Sequence, residues 1–537
     1  MEPLIFGVDV GTGSARAALF DARGKRLATH SHPIQMWREG ADYVEQSSAD
    51  IWRALCSCVR ACLRDSGAAP EAVVGISFDA TCSLVVLDET GASLPVGEHG
   101  DAARDVIVWM DHRALRETEE INAGGYDVLR YVGGALSPEM QTPKLLWLRR
   151  HLPATWARAG HFFDLADYLT WRASGSESRS LCTLVCKWTF LGHENRFDES
   201  YFHAIGLDDA LPHIGTEVRV PGAELGTLTE EAARELGLTT NCRVGQGAID
   251  AHAGGIGLLG CVLGEGEPAR ALESALALIG GTSNCHMAVS RAAKFVPGVW
   301  GPYFGAMVPE MWLQEGGQSA AGAAIDAVIA AHPAAPALFE EAKSGGRTVY
   351  ELLNAELEGA NWSPRATKDL HVVPDFLGNR SPNADPHARA VFDGLSLDDS
   401  RLDLARRYGA TIEGVALGTR DIIRALEEGG YEIQTVLVTG GGTKNPLWLQ
   451  IHADVLGRPL VLPEESESVL LGAGVLAATA AGLHPDAFSA MRAMARVGAT
   501  VEPRVQWRAL YDAKFAVFRE LMAQSRARRE KMAGFGE

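Results

Sequence analysis

Near the N-terminus, apolar residues fall in short runs separated by turn-forming residues. Runs at 4–8, 17–20, 73–78, 83–87 and 106–109 predict strands. Between them Ile51, Trp52, Leu55, Val59 and Cys62 recur at helical spacing and predict a helix over 47–64. Strands alternating with helices indicate an α/β protein. The stretch 127–238 reads as helical and loop-rich, with clustered aromatics, and as an insertion that builds a pocket wall. At 244–255 a strand runs into glycines and an aspartate, and the domain junction is placed there, dividing the chain into 1–253 and 254–537. The second region restarts the pattern with a strand at 275–280, the turn Gly280-Gly281-Thr282-Ser283-Asn284 and a return strand at 286–289. Helices are expected at 317–331 and 402–427, and 264–270 reads as an exposed loop. A strand at 435–439 runs through Gly440-Gly441-Gly442-Thr443-Lys444-Asn445-Pro446 into a helix ending near Leu456, and a Gly/Ala-rich helix at 470–481 is the last element expected. A strand–turn–strand with Gly-Thr near the start of both regions predicts internal duplication.

Size and charge narrow the class. A chain of 537 residues is too long for one core, which agrees with two domains. The net charge of −19 argues against a non-specific nucleic-acid binder and against attraction to anionic membranes. No signal peptide or membrane-spanning run is read from the pattern, and the expected compartment is the cytoplasm. The nine cysteines are scattered, and Cys182 and Cys186 stand four apart without a matching second pair. They read as small buried thiols, not as a zinc framework.

The candidate chemistry sits at the turns. In Asp9-Val10-Gly11-Thr12-Gly13-Ser14-Ala15-Arg16, glycines and hydroxyls expose backbone N–H groups suited to phosphate oxygens. Asp9 could hold a hydrated Mg²⁺ beside them, and Arg16 adds a fixed cation. Alone, this is equally a tight hairpin; the second turn, Gly281-Thr282-Ser283, suggests a polyphosphate gripped from both sides. Asp250 ends a strand among small residues and could act as a general base or merely cap a helix. His252 reads as a packing residue. No Gly-x₄-Gly-Lys-Ser/Thr occurs, so a Walker A loop is excluded, and the Gly440–Gly442 run offers a platform for a flat base. Three segments and one lysine read as pocket material. They are Asp79-Ala80-Thr81-Cys82-Ser83, Trp109-Met110-Asp111-His112-Arg113, Trp312-Leu313-Gln314-Glu315 with its carboxylate expected just before a helix, and Lys187 among apolar neighbours.

Together these motifs resemble the FGGY family of carbohydrate kinases, within the actin/hexokinase/Hsp70 superfamily. Asp9 to Arg16 is similar to the family's first phosphate motif, Gly281-Thr282-Ser283 to its second and Thr439 to Pro446 to its adenosine motif; Asp250 stands where the family places its base. Lys144-Leu145-Leu146-Trp147-Leu148 is similar to a family signature. Thr81-Cys82-Ser83-Leu84-Val85 resembles the D-ribulokinase subgroup, where glycerol kinases carry Arg-Glu and xylulokinases Met-His. The resemblance implies two duplicated ribonuclease-H-like domains with a cleft between them. It implies ATP and Mg²⁺ as cofactors and a small sugar or polyol as substrate, with a homodimer left open. Asp250 is then the base, and Asp9 the metal residue. Gly11, Thr12, Gly13, Arg16, Gly281, Thr282, Ser283, Gly441, Gly442 and Asn445 would contact the nucleotide. Thr81, Cys82, Asp111, Lys187 and Glu315 would contact the sugar.

Overall fold

The computed structural model describes residues 2–40 and 42–535. Two sheets carry the architecture. In the first, β1 (Leu4–Val10), β2 (Ser14–Asp21) and β3 (Arg26–Pro33) run antiparallel as a meander. On the other side of β1, β4 (Val73–Ala80) and then β5 (Arg243–Ile249) join in parallel. In the second sheet, β6 (Ala275–Gly280), β7 (Asn284–Ser290) and β8 (Trp312–Gln318) form the meander. There β9 (Thr435–Gly440) and β10 (Leu460–Pro463) are the parallel pair. The same five-strand order therefore occurs twice, which is the expected duplication seen in topology. β1 is buried along its whole length, as befits a central strand covered on both faces.

Local signals set some helix ends. α1 (Ser48–Ser66) starts at Ser47, whose side chain accepts from the Asp50 N–H, and stops at Gly67 with φ 67°. Further along lie α2 (Asp250–Leu259), α3 (Arg401–Glu428), α4 (Pro446–Leu456) and α5 (Ser468–Ala480). α2 and α5 cross between the sheets, and each serves the other half of the chain. α5 packs on β1, β4 and β5, whereas α2 packs on β6 and β9. A Cβ at Gly7 would strike the Leu470 carbonyl oxygen, one at Gly257 that of Ser468, and one at Gly472 that of Ala253. Glycine within a helix costs about 1 kcal/mol; here it lets backbones approach closely enough to join both halves in one core. The expected division after Ala253 therefore falls inside α2.

Four expectations change. Residues 312–318 form β8 and not the approach to a helix; the helix starts at Gly322. β8 is paired on both sides, with β7 and with Trp300–Phe304, and that pairing outweighs the helical reading of the small residues around it. The 127–238 stretch includes the strand Ala159–Asp164, which completes a separate five-stranded sheet. A helix, Pro268–Glu273, begins inside the expected loop. The chain continues past α5 into a 25-residue helix, Arg508–Met532. Among the described residues no single helix is long and apolar enough to cross a membrane.

Candidate active site

Three carboxylates meet at the C-terminal ends of three adjacent parallel strands, where ligands of open α/β sheets gather. Asp9 near the end of β1 faces Asp79 of β4 in register, and Asp79 faces Ala248 of β5. Asp250 stands two residues later as the first residue of α2, its Oδ1 accepting from the Ala251 N–H at 2.7 Å. A register shift between Gly245 and Ala248 inserts one extra residue in β5, a bulge that re-aims the strand end leading to Asp250. Gly247 is required there, because a Cβ would collide with the Phe78 carbonyl oxygen.

Asp9 and Asp79 are both fully buried. Arg16 Nη2 pairs with Asp9 Oδ2 at 2.5 Å, and the two carboxyl groups touch each other; beyond these contacts neither receives a hydrogen bond from the protein. Burial raises the Asp9 pKa above the ordinary carboxylate value, and Arg16 offsets only part of that rise. Asp79 is pushed up further by burial and by the negative charge of Asp9. Asp250 rises to about 6, first through desolvation and then through Asp9. Two buried carboxylates with free oxygens side by side fit a hard divalent cation, and Arg16 alone does not neutralise them. Asp79 carries as much of this geometry as Asp9, yet its strand-end segment reads from sequence only as a polyol contact.

The two turns match. Gly11 N–H donates to Ser14 O at 3.0 Å, and Gly281 N–H donates to Ser283 O at 2.9 Å. Gly13, Gly281 and Thr282 are exposed. Thr12 is braced from both sides, its carbonyl accepting from Gln46 Nε2 at 2.7 Å and its hydroxyl from Trp109 Nε1 at 3.0 Å. Lys144 of the signature segment is fully buried and donates to the Val108 and Trp109 carbonyls at 3.1 and 3.3 Å, so it supports the turn through Trp109. Burial lowers its pKa to about 8. Gly440 pairs with Gly280 across β9 and β6, which sets the Gly441-Gly442 segment beside the second turn. With φ at 96° and the Gly280 carbonyl oxygen against it, Gly440 has no room for a side chain. Asn445 is held by the protein on both side-chain atoms. Its Oδ1 caps α4 at the Leu447 and Trp448 N–H groups, and its Nδ2 donates to Tyr408 Oη at 2.6 Å. Asn445 thus anchors the end of the glycine platform.

The pocket beside Asp250 draws on both halves. Thr81, Cys82 and Lys187 come from the first, and Glu315 on β8 from the second; each is at least 93% buried. Thr81 Oγ1 lies 3.1 Å from Ser83 Oγ. Burial disfavours the Lys187 charge, but Cys82 and Glu315 together push its pKa well above the usual lysine value. Two further residues frame the pocket. Lys187 Nζ sits 4.8 Å from the Trp300 ring centre and the Arg380 guanidinium 5.1 Å from it, with Arg380 paired to Glu139 at 3.3 Å. The lone Arg380 in Gly378-Asn379-Arg380-Ser381-Pro382 carries no local sequence signal that it reaches across the cleft. Asp111 departs from expectation. It is fully buried, Oδ2 accepting from the Val44 N–H at 2.6 Å and from Arg113 Nη2 at 2.7 Å. Oδ1 takes the Arg113 N–H and Nε at 3.0 and 2.8 Å. With both oxygens occupied, Asp111 fixes Arg113 against Glu45 and has no lone pair turned to a sugar.

Strand-end carboxylates, two glycine turns and a buried polar cluster beside them suit phosphoryl transfer to a small polar substrate. Residues 4–257 match the N-terminal domain, and residues 276–481 the C-terminal domain, of the FGGY family of carbohydrate kinases. The chain belongs to that family. It is 48% identical to a human FGGY carbohydrate kinase domain-containing protein over 97% of this chain and 96% of that one. It is 39% identical to a D-ribulokinase of Saccharomyces cerevisiae, over 88% of this chain and 71% of that one. The fold matches a ligand-bound xylulose kinase from Lactobacillus acidophilus with a TM-score of 0.81 at 21% identity, covering 99% and 100% of the two chains.

Proposed function

We propose that this kinase transfers the γ-phosphoryl group of ATP to a ketopentose, D-ribulose foremost. Asp250 carries the reading. It follows the end of β5 directly, as the first residue of α2, near both Asp9 and Glu315, and its pKa of about 6 leaves it ionised at neutral pH yet able to accept a proton. In this reading Asp250 takes the proton of the terminal hydroxyl as its oxygen attacks phosphorus. The Gly11–Gly13 and Gly281–Ser283 turns bind phosphate oxygens, and the Gly441-Gly442 platform receives the base. Asp9 and Asp79 would hold Mg²⁺, which supplies charge neutralisation at the phosphates. Lys187, Glu315, Thr81 and Cys82 orient the sugar, and burial of the pocket excludes water. The five-strand order repeated in both lobes supports a ribonuclease-H-like fold for each. Nine unpaired cysteines, seven of them buried, support a cytoplasmic setting.

The choice of D-ribulose rests on Thr81-Cys82 and on the yeast D-ribulokinase relative. A ribulokinase of Geobacillus thermodenitrificans is 30% identical over 89% of this chain, and its name specifies no enantiomer; L-ribulose, ribitol or another polyol is the second reading. A panel of D-ribulose, L-ribulose, ribitol and D-xylulose with coupled ADP detection decides between them. A kcat/KM for D-ribulose at least tenfold above the others supports the proposal, and equal values overturn it. No ADP release with any sugar would indicate a silent sugar-sensing scaffold instead.

A further inference from the structure

Behind the pocket, two thiols and an imidazole converge. Cys182 and Cys186 stand one turn apart on the helix Leu181–Lys187, and His252 lies on α2. Their ligand atoms all lie within 4.8 Å of one another, and Cys186 Sγ is 3.4 Å from His252 Nε2. Glu315 of β8 adds a fourth group, with Oε2 3.8 Å from His252 Nε2. The cysteines are wholly buried, and His252 and Glu315 keep 1% and 6% of their surface. Glu315 Oε2 and His252 Nδ1 are buried without a hydrogen-bond partner. A buried carboxylate oxygen left unpaired beside two thiols and an imidazole is a costly arrangement that a cation would relieve.

We propose that Cys182, Cys186, His252 and Glu315 form a site for a thiophilic divalent cation, Zn²⁺ in the first instance. Zn–S bonds of about 2.3 Å and Zn–N bonds of about 2.0 Å put tetrahedral ligand atoms roughly 3.3–3.8 Å apart. The 3.4 Å sulfur–nitrogen separation meets this; the 3.8 Å nitrogen–oxygen one must close by about 0.5 Å, and the widest by about 1 Å. Two sulfur ligands select Zn²⁺ over Mg²⁺, so the site is chemically distinct from the Asp9–Asp79 pair. Binding releases the thiol protons. The ligands come from a helix of the first half, the connecting helix and a strand of the second half. The ion would therefore tie the lobes together. Cys186 adjoins Lys187, and His252 stands two residues after Asp250. An ion here draws Glu315 away from the sugar and slows turnover; this last consequence alone rests on the proposed role of Glu315.

The test uses full-length, chelator-stripped protein titrated with Co²⁺. One equivalent is expected to give tetrahedral d–d bands and a thiolate-to-cobalt charge-transfer band, displaced by Zn²⁺ and not by excess Mg²⁺. The Cys182→Ser/Cys186→Ser variant, checked by thermal melting, loses the charge-transfer band and keeps wild-type turnover in chelator. Absence of the band in wild type overturns the site. So does its persistence in the double variant, which would move the metal to other thiols such as Cys56, Cys58 and Cys62. Should the variant not fold, X-ray absorption of the zinc-loaded wild type decides; a shell of nitrogen and oxygen without sulfur refutes the site. Desalted zinc-loaded enzyme is expected to turn over at least tenfold more slowly, with recovery on chelation. An unchanged rate with metal bound overturns the coupling to the sugar pocket and leaves the spectra to judge the site.

Discussion

Where Asp9 faces Asp79 across β1 and β4, the second sheet sets Ile279 opposite Thr439 across β6 and β9. The next rung pairs Val10 with Ala80 in one sheet and Gly280 with Gly440 in the other. Both sheets then turn with a glycine N–H to serine carbonyl bond, the first turn being one residue longer than the second. One backbone plan thus ends in two chemistries. The first ends in three carboxylates and Arg16, which repel, share protons and attract a cation. The second ends in glycines and hydroxyls that leave bare backbone beside a helix start. Duplication explains where the strand ends lie; the side chains at equivalent rungs decide whether that edge gathers buried carboxylates or leaves bare backbone.

Removing the base from the charged edge should give the largest effect. Asp250→Asn is expected to lower kcat by about 10³-fold in an ADP-coupled assay, with ATP affinity by calorimetry nearly unchanged. Substantial residual turnover would reassign the base. The pH profile sharpens the same point. Because burial raises the Asp250 pKa to about 6, kcat/KM should rise tenfold per unit below that value and level off above it. A flat profile between pH 5 and 7 would contradict it. Carrying the first edge's charge onto the second, Ile279→Asp should raise KM for ATP by about tenfold through repulsion of the phosphates; an unchanged KM would place the nucleotide elsewhere. Neutralising the first edge, Asp79→Asn should raise Tm by a few degrees at pH 8 and reduce the extra Tm gained from Mg²⁺. Linkage sets the sign. Asp79 has a raised folded pKa, so its ionised form opposes folding above that pKa, and the penalty fades as pH falls through it. The gain in Tm should therefore shrink in acid, and a fall in Tm at pH 8 would break the comparison.

The first turn was legible because Asp9 to Arg16 is a local strand–turn–strand whose residues act within one hairpin. α1 was legible through the helical spacing of Ile51, Trp52, Leu55, Val59 and Cys62, and α4 through Asn445, which acts on neighbouring backbone. Asp79 was not recognised as Asp9's partner, because that partnership comes from parallel pairing of strands far apart in the chain. β8 read as the approach to a helix, since pairing on both its edges involves segments that no local pattern announces. Asp111 read as a pocket residue from its place beside Trp109, but Arg113, two residues on, claims its oxygens.

By itself the sequence determined the duplicated α/β plan and the two glycine turns, because strand periodicity and turn chemistry act over a few residues; Asp250 as the candidate base came from the family resemblance. The tertiary structure alone decided which carboxylates share a site. It also closed Asp111 into an ion pair and joined Cys182 and Cys186 to His252 and Glu315. Those outcomes depend on parallel registers and on the close crossing of α2 with α5, which bring together groups far apart in the chain. Burial then sets their charge, since desolvation acts on the assembled neighbourhood and not on the residue.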